Sequence, residues 1–107
     1  MLKKNEVIEL SGMEVIKVLR EIEYTLISLR KIASYYYDKP GTTLTPETEI
    51  SYALETTRFI DQNQITRRLS KARGILLEKF DDELGSDDMG DVERELELLR
   101  FWEKPGD

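Results

Sequence analysis

Arg67, Arg68, Lys71 and Arg73, with Arg58 upstream, form the cluster whose residue types and spacing most plainly suit a ligand. Arg67 and Lys71 stand four apart and Arg68 flanks them, so on a helix they share one face. Such a face meets phosphates, and Gln64, Thr66 and Ser70 beside it supply side chains that make phosphate or base contacts. A short helix, an abrupt junction and a basic helix also have the outline of a helix-turn-helix. Nucleic-acid binding through this third helix is therefore the alternative function. The competing expectation is that the basic face is neutralised by acidic residues of the same protein or of a second subunit.

Tyr35-Tyr36-Tyr37 is the second unusual cluster. Three successive residues cover about 200° of a helix, so they cannot all enter one core. Tyr36 continues an apolar stripe, which leaves Tyr35 and Tyr37 at its borders as candidates for a protein interface, where aromatic rings with a polar tip are common. Phe101 invites the same reading at the other end of the chain, beside a Trp102 expected to face inward.

Catalysis and metal binding find little to work with. His and Cys are both absent, which removes the usual neutral-pH proton shuttle, thiol nucleophiles, and His- or Cys-ligated zinc, copper, haem and iron–sulfur sites. The acidic runs Asp81-Asp82-Glu83 and Asp87-Asp88-Met89-Gly90-Asp91 do not fit the calcium-loop pattern, with its central Gly and terminal Glu. No glycine-rich dinucleotide loop, phosphate loop or nucleophile elbow occurs. No catalytic residue, metal ligand or cofactor is assigned, and the expected function is non-enzymatic: an adaptor, regulator or complex subunit acting through protein–protein contact.

Charge is unevenly distributed. Residues 1–80 hold 13 Lys and Arg against 11 Asp and Glu, a net +2, while residues 81–107 hold 3 against 11, a net −8. Together they give the net −6 of the chain. An acidic whole repels nucleic acid and anionic membrane at long range, although a local basic face still acts at short range. Separate basic and acidic segments can also match across a two-fold axis, so a homo-oligomer or another protein is the expected partner. Glu6 and Glu9 interrupt what would be the apolar core of a signal peptide, and no apolar run reaches the roughly 18 residues of a membrane span, so no membrane association and a cytoplasmic location are expected.

The elements that must carry these residues are helices. Ser11 with Glu14 reads as a capping box opening a first helix at Gly12. Leu19, Ile22, Leu26, Leu29, Ala33 and Tyr36 then recur with heptad spacing and define its inner stripe, and Pro40 and Gly41 end it. Thr45-Pro46-Glu47 opens a second helix, with Ile50, Ala53 or Leu54, Thr57 and Ile60 inward. A third apolar series runs through Ile65, Leu69, Ala72, Leu76 and Phe80 towards Gly85. The spacing leaves open whether residues 47–84 are one bent helix or two, with Asp61 or Asn63 capping the second. Gly74 inside that series hints at a close helix crossing. A last helix from Met89 or Asp91 to Trp102 turns Val92, Leu96, Leu99 and Trp102 inward. The expected fold is all-α: a small antiparallel bundle of four helices in one domain spanning 1–107, possible also as a dimer, with 1–10 a polar lead-in and 103–107 a flexible end.

Overall fold

The structure is a computed structural model that describes residues 1–38 and 45–107. Pro40, Gly41 and the linker up to Leu44 lie outside the described residues. Within them the chain is all-α, as the periodicity requires: a 3-10 turn at Lys3–Asn5, then α1 (Gly12–Tyr37), α2 (Pro46–Gln62), α3 (Ile65–Leu77) and α4 (Asp91–Leu96), with no strand among the described residues. No described helix is long and apolar enough to cross a membrane. The residues group into two compact units, Ser11–Ile75 and a second made of Met1–Leu10 with Leu76–Asp107.

The starts of α1 and α2 are fixed by local chemistry. The Glu14 amide donates to Ser11 Oγ at 3.1 Å and the Ser11 amide to Glu14 Oε1 at 2.9 Å, a complete capping box. Thr45 Oγ1 accepts from the Thr48 amide at 3.1 Å, with Pro46 in the first turn, where its missing N–H costs nothing. The junction after α2 resolves the open alternative in favour of two helices. Gln64 adopts φ 51, a left-handed conformation that a continuous helix cannot contain. Asn63 caps the end of α2 rather than the start of α3: its Nδ2 donates to the Phe59 carbonyl at 3.0 Å.

In the Ser11–Ile75 unit, α1 and α2 form an antiparallel hairpin, since Tyr24 meets Phe59 near one end (5.8 Å between ring centroids) and Tyr36 and Tyr37 meet Tyr52 near the other (6.3 and 5.0 Å). The face that α2 turns inward is Tyr52, Thr56, Phe59 and Asn63, all half-buried, and the expected aliphatic face is the one left out. Ile50 is 60 % exposed and Leu54 49 %, and Ala53 and Thr57 are exposed with them, leaving Ile60 alone of that set partly covered. On α1 the expected stripe divides. Leu29, Ala33 and Tyr36 are half-buried, beside a buried Val18 and half-buried Tyr24, Thr25, Ser28 and Ile32, whereas Leu19, Ile22 and Leu26 lie open to solvent. Broad aromatic rings fill the hairpin interface, and Thr25 and Thr56 each donate their hydroxyl to the carbonyl four residues back.

Both C-terminal expectations on helix length need correction. α3 stops at Leu77, well short of Gly85. Acids at 78, 81, 82 and 83 oppose the helix dipole there, and Asp81 has its backbone N–H and carbonyl both engaged by the Asn5 side chain. Phe80 is therefore half-buried beyond the helix rather than on its stripe. α4 ends at Leu96, with Glu95 and Glu97 at its unfavourable end, and residues 99–103 have no regular secondary structure. Leu96, Leu99 and Trp102 consequently face solvent, Trp102 at 67 % exposure. Gly74 marks no close crossing, because a Cβ built there meets nothing within 4 Å.

The second unit is assembled by polar side chains. Asn5, buried, donates through Nδ2 to the Asp81 carbonyl (3.0 Å) and to Asp91 Oδ2 (2.8 Å), while its Oδ1 accepts from the Asp81 amide (2.8 Å). Asp91 Oδ2 also accepts from the Leu2 amide at 2.8 Å. Lys4 Nζ reaches Asp81 (2.9 Å) and Glu83 (3.4 Å). The lead-in of residues 1–10 thus sits in the same unit as α4.

Candidate functional site

The basic residues separate once folded. Arg67, Arg68 and Lys71 line one open groove of about 640 Å³ with Glu21, Gln62, Asn63 and Gln64. Arg58 lines a different groove, with Lys31 and Glu55, and Arg73 donates to Ser70 on its own helix at 3.0 Å. Within the first groove Arg68 is already engaged. Its Nε donates to the Asn63 carbonyl (3.0 Å), its Nη1 stands 3.5 Å from Glu21 Oε2, and its guanidinium lies 4.2 Å from the centre of the Tyr24 ring. Tyr24 in turn donates its hydroxyl to Asn63 Oδ1 at 3.1 Å. Arg68 therefore ties the first turn of α3 to α1 and to the end of α2, and the groove's exposed cations are Arg67, which reaches Gln64 at 3.4 Å, and Lys71.

Of the aromatic candidates, Tyr35 is 60 % and Phe101 62 % exposed. Tyr37 is half-buried against Tyr52, a partner fifteen positions along that no local pattern reveals. Tyr36 bridges the two environments, edge-on to Tyr35 at 5.0 Å and to Tyr52 at 6.3 Å.

Sequence reasoning missed the carboxylate cluster around Arg94. Its Nε and Nη2 hold both oxygens of Asp87 (2.6 and 2.8 Å), its Nη1 holds Asp91 Oδ1 (2.9 Å), and Nη2 also donates to the Met89 carbonyl (3.1 Å). This pinned guanidinium crowds Gly85, where an added Cβ would stand 2.7 Å from Arg94 Nη2. Arg94 holds the Asp87 carboxyl well below the usual carboxylate range. For Asp91 the largest cause is the Asn5 side-chain donor, followed by the Leu2 amide, and together with Arg94 they lower it to about 2. The Asp87, Asp91 and Arg94 spacing was the available signal; nothing in the sequence singles out Asn5. Among the described residues no group of three or more Asp or Glu side chains could hold a metal ion.

Many large apolar side chains are exposed among the described residues. Among the described residues the buried apolar core is Val18, Ile65 and Ala72, and no large side chain is fully buried. Val15, Leu19, Ile22 and Leu26 make an open stripe along α1; Leu98, Leu99, Phe101 and Trp102 make an open run beyond α4, with Leu98 at 78 % exposure. Exposed apolar stripes and runs of this kind are candidates for interaction sites. No family model matches the chain, and no curated protein or solved structure matches it. The fold and these surfaces together define a small all-helical domain with exposed aliphatic and aromatic patches.

Proposed function

We propose that this chain is a non-enzymatic interaction module of the cytoplasm, a subunit, adaptor or regulator that completes its apolar packing against another protein chain. One observation carries the reading. Leu19, Ile22 and Leu26 of the periodic α1 stripe and Ile50 and Leu54 of α2 are left open, while the hairpin contacts are largely aromatic and hydroxyl-bearing. Apolar side chains gain on the order of 25 cal/mol for each Å² removed from water, so two uncovered stripes and an uncovered aromatic run favour association. Phe101 and Trp102 have the size and exposure of anchor residues, which dominate interface energetics when they enter a pocket.

The test is native-size fractionation of lysate from the source cell at the natural level of the protein. The expected result is migration in an assembly larger than the 12.5 kDa chain. Joint substitution Phe101→Ser and Trp102→Ser reduces that assembly while far-UV circular dichroism stays unchanged. Migration as a 12.5 kDa monomer refutes the reading.

A second reading, nucleic-acid binding through α3, is supported by the gathering of Arg67, Arg68 and Lys71 in one groove. It is weakened by the engagement of Arg68 with Glu21, Asn63 and Tyr24. It requires that Arg67→Glu with Lys71→Glu abolish binding to duplex or single-stranded nucleic acid at low salt, where phosphate contacts are strongest.

A further inference from the structure

The open stripe on α1 has a self-complementary charge pattern. Val15, Leu19, Ile22, Leu26, Leu29, Ala33 and Tyr36 follow one another at steps of four and three, the spacing by which one helix packs along another. Val15, Leu19, Ile22 and Leu26 are 38, 47, 41 and 47 % exposed, and Leu29, Ala33 and Tyr36 are half-buried. One flank of this seam, Val18, Thr25 and Ile32, is occupied within the unit: Val18 is buried and the other two are half-buried. The other flank carries Glu23 and Arg30, both exposed and seven residues, two helical turns, apart, and is covered only beyond them, where Tyr37 packs on Tyr52.

We propose that α1 packs antiparallel on α1 of a second copy, about a two-fold axis passing between positions 26 and 27. At 1.5 Å rise per residue, Glu23 and Arg30 each lie about 5 Å along the helix from that axis, on opposite sides of it. The two-fold brings Glu23 level with Arg30 of the second copy, twice, on the flank left free. A parallel pairing sets this flank against the Val18, Thr25 and Ile32 flank of the second copy, which is already occupied within its own unit and offers no opposite charge. The same register interdigitates the seam: Leu19 falls between Ala33 and Tyr36 of the second copy, Ile22 between Leu29 and Ala33, and Leu26 between Leu26 and Leu29, with the small Ala33 making room for its two larger neighbours. An interface of one patch with itself closes as a dimer.

This inference rests on the interaction reading and supplies its partner, a second copy of the same chain. Sedimentation equilibrium on the purified full chain tests it. The expected result is a dimer, converted by Leu26→Glu to a monomer of unchanged helix content. The exposed flank gives variants that leave folding untouched: Glu23→Arg and Arg30→Glu each weaken the dimer about tenfold, as two repelling pairs in place of two exposed ion pairs require, and the double exchange restores it. A chain that stays monomeric at its solubility limit, or a dimer that the double exchange fails to restore, overturns the proposal. A purified monomer that still migrates in a larger assembly in lysate overturns self-pairing while leaving the broader interaction reading in place.

Discussion

Asn5→Ala is the perturbation that most sharply tests how the second unit is held. The side chain is 4 % exposed and makes three hydrogen bonds, two with the backbone of Asp81 and one with Asp91, across 76 and 86 positions of sequence. At a net contribution of about 1 kcal/mol each, their removal costs about 3 kcal/mol, and alanine returns none of it. The Asp81 amide reports this directly, because its acceptor is the Asn5 side chain itself. A loss of 3 kcal/mol in local opening corresponds to exchange with deuterium about a hundred times faster. Asn5→Asp, of nearly the same shape, adds repulsion by placing an oxygen where Nδ2 now stands 2.8 Å from Asp91 Oδ2, so at neutral pH it is the more damaging of the two. An Asp81 amide exchanging within about threefold of the parent rate in Asn5→Ala refutes the polar-staple account.

Acidification acts on the same cluster. Asp81, Asp87 and Asp91 all have folded-state values below the ordinary 3.8. Their stabilisation is present above about pH 4 and is lost as pH falls through the folded value, about 2 for Asp91; amide exchange at Leu2 and Asp81 should rise over that window, and protection constant down to pH 2 contradicts it. Arg68→Lys keeps the charge but loses the guanidinium held over Tyr24 and the Nε bond to Asn63, so urea unfolding should show a loss of about 1–2 kcal/mol; an unchanged midpoint removes Arg68 as the joint. Gly74→Ala, in a helix interior with open space at the Cβ position, should gain up to about 1 kcal/mol, read as a raised Tm.

Helix starts were legible because their chemistry is local: Ser11 with Glu14, and Thr45 with Pro46, need no partner beyond four residues. The facing of the helices was not. Periodicity selects the most apolar stripe, and here Leu29, Ala33, Tyr36 and Ile60 of it are half-buried while Leu19, Ile22, Leu26, Ile50 and Leu54 stay outside, because Tyr24, Tyr52 and Phe59 fill much of the hairpin interface. The end of α3 depends on Asn5 engaging Asp81 across 76 positions, a contact no window of sequence contains. The candidate sites divide in the same way. Exposure at Tyr35 follows from its place beside an apolar stripe and that at Phe101 from its place beyond α4, whereas Trp102 was expected inward and became exposed when α4 stopped at Leu96. The tethering of Arg68 and the packing of Tyr37 on Tyr52 depend on residues from other helices.

Hydroxyl-radical footprinting of the full chain, in its native assembly and again after purification and dilution, tests the central claim most directly. If the open apolar faces are the interaction surface, labelling of Leu19, Leu26, Phe101 and Trp102 falls several-fold in the assembly while exposed residues away from those faces, such as Glu47, keep theirs. Equal labelling of those four side chains in both states contradicts the account.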